Sequence, residues 1–336
     1  MRVFVVGASG AIGSRLVPQL IERGHEVIGS CRSPERAEGL RALGAEPVVL
    51  DALNARAVRK AVLETEPEAI VHEATALTDV KFSRNLDRTF TQTNRLRTEG
   101  TDNLLAAARE AGVRRFVAQS FGSFGRYARE GGPVKSEDDP LDPSPVKGMR
   151  ENDAAIRHLE QAVTDAGGIA LRYGAFYGAS NDGLIEPVRK RQFPIVGDGG
   201  GFMSFIHLDD AATATVLALE HDGPAIYNIV DDEPAPVREW LPVLANALGA
   251  KPPRHLPVWL ARLVAGEAVV MMETEARGAS NDKAKRELGW TLHYPSWRQG
   301  FAAAYPRAIA SPATPTRTPA AGRQPRAGHR HRESRA

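Results

Sequence analysis

The chain has 336 residues, 42% of them hydrophobic, with one cysteine and a formal net charge of +2. That length supports a full core, as one large domain or two modest ones, and the lone Cys31 excludes an internal disulfide and a four-thiolate metal site. From Arg307 onward seven arginines stand against one glutamate, so the body before this tail is net acidic, which excludes nucleic acid as the main partner.

The opening run RVFVV is too short for a signal-peptide core and has the form of a buried strand. A helix follows from about Ile12 to Arg23, then the strand EVIGS, a helix over PERAEGLRAL and the strand PVVL. The unit repeats with a helix over ARAVRKAVLE, the strand AIVHE, a long helix ending in GTDNLLAAAREAG, and the strand RFVAQ. Strands separated by helices of this length predict an α/β fold, a Rossmann-like doubly wound parallel sheet covered on both faces.

After Ser120 the alternation slackens into GSFGRYAREGGPVKSEDDPLDPSPVKG, a candidate substrate lid. A helix near 149–166 and the strand IALRY come next, then loops around GASNDG and GDGGG, and a helix after HLDD. Residues 1–179 read as a nucleotide-binding domain. Residues 180–306 read as a small C-terminal substrate lobe interleaved with it, and 307–336 as a disordered basic tail. The stretch from Leu256 is broken by Arg262 and Glu267, so no membrane partner is expected, and the cysteine usage suits a cytoplasmic setting. Trp240, Trp259, Trp290 and Trp297 read as core or lobe packing, and no metal-ligand spacing stands out.

GASGAIG, residues 7 to 13, sits between the first strand and the first helix. Gly7 suits a tight turn, Gly10 the approach of a pyrophosphate, and Gly13 close packing of helix on strand; Ser9, Ala11 and Ile12 complete the loop. This order of elements predicts a dinucleotide site. The second strand ends in Ser30, Cys31 and Arg32, without the carboxylate that binds the ribose hydroxyls of NAD, so NADP is expected over NAD.

These residues resemble the extended, NAD(P)-dependent epimerase/dehydratase branch of the short-chain dehydrogenase/reductase superfamily, over about residues 1 to 300. The resemblance rests on GASGAIG, VVLDAL, IVHEATA, GTDNLLAAAREAGVRRFV, LRYGAFYG, FIHLDDAA and KAKRELGW. It implies that Asp51, with Ala52, meets the adenine, that Ala74 and Thr75 line the cofactor groove, and that Tyr173 belongs to the same site, with the loops after it facing substrate. It also implies a homodimer through the helices near 95–111 and 149–166.

The family's usual catalytic set is a Ser or Thr after the fifth strand and a Tyr and Lys four residues apart on the next helix. Ser120 in AQSFGSFG matches the first, and implies a hydrogen bond to a substrate oxygen. Counting back four from each of the eight lysines finds no tyrosine, so the YxxxK pair is absent. With Glu160 matched to the family's helix glutamate, Asn152 and Ile156 take the two positions; one helical turn away, Met149 and Asp153 do. Tyr127 in the lid, or water, is the candidate replacement proton donor, and Tyr173, Tyr177, Glu151 and Lys147 are other groups that could reach the same cavity. His207 reads as a loop-orienting residue, and Asp209 and Asp210 as helix caps.

The function expected is an NADP(H)-binding oxidoreductase of the epimerase/dehydratase type, acting on a small carbonyl, alcohol or sugar-like molecule with an atypical active site. Two alternatives stand beside it: an NADP(H)-binding redox sensor or scaffold, and a non-redox isomerase, lyase or cyclase holding the nucleotide as a structural ligand.

Overall fold

The computed structural model describes residues 1–77, 85–122, 125–179 and 183–305. The basic tail, the stretch 78–84, and residues 123–124 of the expected lid lie outside the described residues. The first apolar run forms β1 (Arg2–Val6), and the expected alternation continues through β2 (Glu26–Cys31), β3 (Glu46–Val49), β4 (Ala69–His72) and β5 (Arg115–Phe121). The last two strands of the main sheet are β6 (Ile169–Tyr173) and β7 (Ala225–Ile229). They assemble into one sheet in the order β7-β6-β5-β4-β1-β2-β3, with every pair parallel.

Continuous apolar strands are what a sheet buried on both faces requires. Val3 and Val5 join Val71 and Val117 against Leu16, Val17, Ala211 and Ala214 on one face. Phe4 and Ile70, on the other, meet Val58, Val62, Leu104 and Leu159. Val3, Phe4 and Val5 are each 0% exposed, and burying a side chain of this kind stabilises by about 1.5–3 kcal/mol.

The first crossovers lead from β1 toward β3, whereas β4 lies on the opposite side of β1, so the direction of winding reverses between β1 and β4. In open parallel sheets a crevice forms at that switch, beyond the carboxyl ends of the strands. The expected long helix before β5 is interrupted: Leu96–Gly100 forms a π-helical turn leading into the α-helix Thr101–Ala111. Such turns rotate the side chains that precede them relative to those that follow.

Beyond β6, the short strands Ala175–Tyr177 and Phe205–His207 pair in parallel. They pack with the helices Val237–Ala247 and Trp297–Ala304 around a separate aromatic cluster. Phe205 stands edge-on to Trp240, with ring centroids 5.1 Å apart, and to Phe301 at 5.2 Å. Trp240, Trp290 and Trp297 are buried, but Trp259 departs from the expected packing role. It is 67% exposed, because the seven-residue helix Val258–Val264 buries only Ala261.

Candidate functional site: a nucleotide groove beside a closed ionic cluster

A groove of about 280 Å³ lies over the switch point. Its floor is the glycine loop, with Gly7, Ser9, Gly10, Ala11, Ile12 and Gly13 all lining it. Gly7 has φ +89°, and a Cβ there would stand 2.9 Å from the Ala74 backbone. A Cβ on Gly13 would come within 2.4 Å of the Ala8 carbonyl oxygen. Side chains at either position would fill the cradle or push the helix Gly13–Glu22 off the sheet. That helix carries no acidic residue in its first turn, so its positive end faces the groove unopposed.

Arg32 and Arg36 line the groove near the end of β2, with Asp51 and Ala52 near the end of β3. Ala74 and Thr75 line it after β4, and Phe176, Tyr177 and Leu208 extend it toward the paired strands Ala175–Tyr177 and Phe205–His207. The Gly7 N–H donates to Ser30 Oγ at 3.1 Å, tying the loop to β2.

Tyr173 does not line this groove. It is 0% exposed beneath it, where its hydroxyl donates to Glu73 Oε1 at 3.1 Å and lies 2.6 Å from Thr215 Oγ1. Glu73, which does line the groove, has its other oxygen, Oε2, sealed and unpartnered. Burial pushes the Glu73 carboxyl up to about 8, so it stays largely protonated at neutral pH. The signal for Glu73 was in the sequence as an acid at the end of an otherwise apolar strand.

Ser120 and Tyr127 are also absent from the groove lining. Ser120 is 1% exposed and its hydroxyl donates to Glu160 Oε1 at 2.5 Å. The same carboxylate accepts from Arg126 Nη1 at 2.7 Å and from Arg172 Nε and Nη2 at 2.9 and 2.8 Å. Burial alone would raise the Glu160 carboxyl, but the Arg126 charge and the Arg172 hydrogen bonds hold it down to about 2. Tyr127 donates to Asn228 Oδ1 at 2.7 Å and accepts from Arg172 at 3.3 Å. Burial raises its phenol, which disfavours the phenolate. Both hydroxyls are thus held inside an ionic cluster.

The helix Arg150–Asp165, with Met149 before it, carries the positions that the resemblance gives to the tyrosine and lysine. Ile156 is 0% exposed and Met149 caps the helix start. Asp153 pairs with Arg126 and Arg157. Asn152 accepts from Arg97 Nη1 at 2.8 Å. Neither register offers a phenol or an ammonium. Arg97 was not signalled by the sequence, because only the π-helical turn directs it against this helix.

His207 Nδ1 accepts from the Asp209 N–H at the start of the helix Leu208–Glu220, while Asp210 accepts from the backbone N–H groups of His293 and Tyr294. Asp210 therefore ties the helix to the segment before Trp297. No cluster of metal ligands is found among the described residues, and no helix among them is long and apolar enough to cross a membrane.

The model of the NAD dependent epimerase/dehydratase family matches residues 3–230, which span the glycine loop, the groove and the altered helix. The chain belongs to this family. Among similar members is "3-diazoavenalumate denitrifying reductase" of a Streptomyces species, 43% identical over 90% of this chain and 99% of the relative. Another is "4-hydroxy-2-methyl-3-oxo-4-farnesyl-3,4-dihydroquinoline-1-oxide ketoreductase" of Stigmatella aurantiaca, 29% identical over 86% of this chain and 92% of the relative. The solved UDP-glucose 4-epimerase of Thermus thermophilus, in complex with NAD, superposes with a TM-score of 0.67 at 25% identity, covering 90% of this chain and 96% of that one. The family is one of NAD(P)-dependent oxidoreductases and epimerase-dehydratases, and its Rossmann-like fold is the one expected from the strand and helix pattern.

The expected preference for NADP over NAD is overturned. The Thermus epimerase holds NAD, as do most of the similar solved structures that name a bound dinucleotide. Arg32 is exposed on a flexible stem. Such a side chain attracts a 2′-phosphate without excluding a ribose diol, so the missing carboxylate at the end of β2 was a weak discriminator.

Proposed function

We propose that this chain is a reductase that uses NADH to replace a diazo group by hydrogen on a small carboxylate. The observation that carries the reading is the combination of a complete nucleotide cradle with the closure of the positions that the family resemblance gives to proton transfer. Ser120 is held by Glu160, Tyr127 by Asn228, and the tyrosine and lysine positions are occupied by groups unable to replace them.

Carbonyl reduction needs a proton delivered to oxygen as hydride reaches carbon. Bound in the groove, NADH supplies hydride, and a diazonium R–N₂⁺ then becomes R–H and N₂ with no proton required. The kinship with the Streptomyces reductase, whose name gives a diazo carboxylate as substrate, supports the same choice. In this reading Gly7, Gly10 and Gly13 make room for the pyrophosphate, and Ala74 and Thr75 border the dinucleotide. Ser120 and Tyr127 hold the cluster that anchors the helix Arg150–Asp165 and take no part in the chemistry.

The test is incubation of the protein with [4-²H]NADH and ¹⁵N₂-labelled 4-carboxybenzenediazonium. Enzyme-dependent release of ¹⁵N₂, with deuterium in the benzoate formed, is expected. Rates equal to those of heat-inactivated protein would sink the reading, and reduction of aryl ketones in the same preparation would favour a ketoreductase, as in the Stigmatella relative.

A further inference from the structure

Arg97 is 6% exposed, and only its Nη1 is hydrogen-bonded among the described residues, to the neutral amide oxygens of Asn152 at 2.8 Å and Asn94 at 3.5 Å. The carboxylates around it are already engaged. Glu160 serves Ser120, Arg126 and Arg172, and Asp153 serves Arg126 and Arg157. Asp87 gives Oδ1 to the Asn152 backbone N–H at 2.9 Å. Burial, with the neighbouring Arg126 charge, pulls the Arg97 guanidinium down to about 9. Beside it the Asn94 Nδ2 group, buried, also lacks a partner.

The spare hydrogen-bonding capacity here is therefore made of donors: the rest of a guanidinium fork and an amide N–H₂. The Glu160 charge acts on Arg97 but its oxygens are bonded to other groups, so burial outweighs it, and donors left unmatched add to the cost. The cluster adjoins two openings. Leu96, the residue before Arg97, lines the nucleotide groove, and Asn152 lines a small cavity with Met149 and Met271, while Arg97 and Asn94 themselves line neither. The glycine loop follows β1 and lines the groove, so a phosphate of the dinucleotide already has its own cradle.

We propose that Arg97, with Asn94 beside it, is the seat of a carboxylate on the substrate. A planar guanidinium matches a carboxylate through paired N–H bonds, and binding would supply a counter-charge bonded directly to it. The assignment rests on the reading above only in taking that anion to be part of the molecule reduced.

The experiment is calorimetric titration of the NAD-loaded protein with benzoate, benzamide and inorganic phosphate. Benzoate should bind at least about tenfold more tightly than benzamide, the scale of one charge-assisted hydrogen-bonded pair, and phosphate should not displace it. Arg97→Met should bring the two affinities together while NADH affinity holds. Asn152→Asp places a carboxylate against the guanidinium, so it should remove the benzoate preference and raise Tm by several degrees, which keeps the test informative if Arg97→Met does not fold. Equal binding of acid and amide, no benzoate binding, stronger phosphate binding, a preference surviving in Asn152→Asp, or a lowered Tm in that variant would each overturn the assignment. These are binding readouts, so anion selectivity without diazo turnover would remove the diazo reading and leave this site standing.

Discussion

The nucleotide groove and the ionic cluster at the helix Arg150–Asp165 lie at the same end of one sheet but are built on opposite principles. The groove is made of backbone and absent side chains: a left-handed Gly7, a Gly13 pressed on Ala8, and a free helix end. The cluster is made almost wholly of long charged side chains, with Arg126, Arg172, Glu160 and Asp153 nearly closed to water and Arg157 at its exposed rim. A site that depends on lacking side chains tolerates little at a few positions. A site that depends on matched charges can be rearranged, provided the charges still balance. The positions that the resemblance gives to the family's tyrosine and lysine lie on, or at the start of, the helix that carries the second kind of site.

The sharpest way to break the comparison is to give the groove a side chain. Gly13→Val drives a Cβ into the Ala8 carbonyl, and is expected to destabilise by about 3 kcal/mol or more and to abolish NADH binding. Thermal melts and fluorescence titration would read both, and near-normal binding in a folded variant would mean the cradle is not where the dinucleotide sits.

Next in size, Glu160→Gln leaves Arg126 and Arg172 without their shared counter-charge, with an expected loss of about 3–5 kcal/mol and unchanged NADH affinity at temperatures where the protein remains folded. The Glu160 carboxyl is held at about 2, below its ordinary 4.5. Its stabilisation is therefore complete above pH 4.5 and is lost as pH falls toward 2. Denaturant melts across that window should show an acid-dependent loss in the parent that the variant lacks, and parallel profiles would show that Glu160 is not held low.

The smallest effect sharpens the contrast from the groove side. Glu73 titrates near 8 when folded and near 4.5 when unfolded, so it favours folding less as pH rises between those values. Glu73→Gln removes that penalty, and should raise stability at pH 8 by about 1–3 kcal/mol relative to the parent while changing little at pH 4.5. An equal change at both pH values would mean that the carboxyl is not protonated in the fold.

The sheet and the glycine cradle were legible because period and spacing are local properties of the chain. Strands separated by helices give a parallel sheet, and GASGAIG after a strand gives a phosphate turn, whatever the rest of the molecule does. The absence of YxxxK was equally plain, since a missing residue type needs no three-dimensional information. What replaced it was not legible. Ser120 matched a motif, yet its hydroxyl turns to Glu160, a partner 40 residues away. Tyr173 stands in a motif next to the groove, but strand alternation points it beneath the floor, toward Thr215. Arg97 depends on the π-helical turn, which ordinary helical periodicity would not reveal. Arg32 shows a different limit, because a residue type compatible with one cofactor did not exclude the other.

The sheet order also bears on how the chain comes to be folded. β7 caps the edge of the sheet beside β6, and its residues, Ala225–Ile229, come from beyond the first 179. A chain ending at 179, or still being synthesised there, would leave the wholly buried sequence IALRY as an open, apolar edge. Such an edge pairs with any strand offered, including the same strand of another chain. The sheet that carries the groove therefore cannot be completed until residue 229 has emerged, and a nascent chain must keep that edge guarded in the interval.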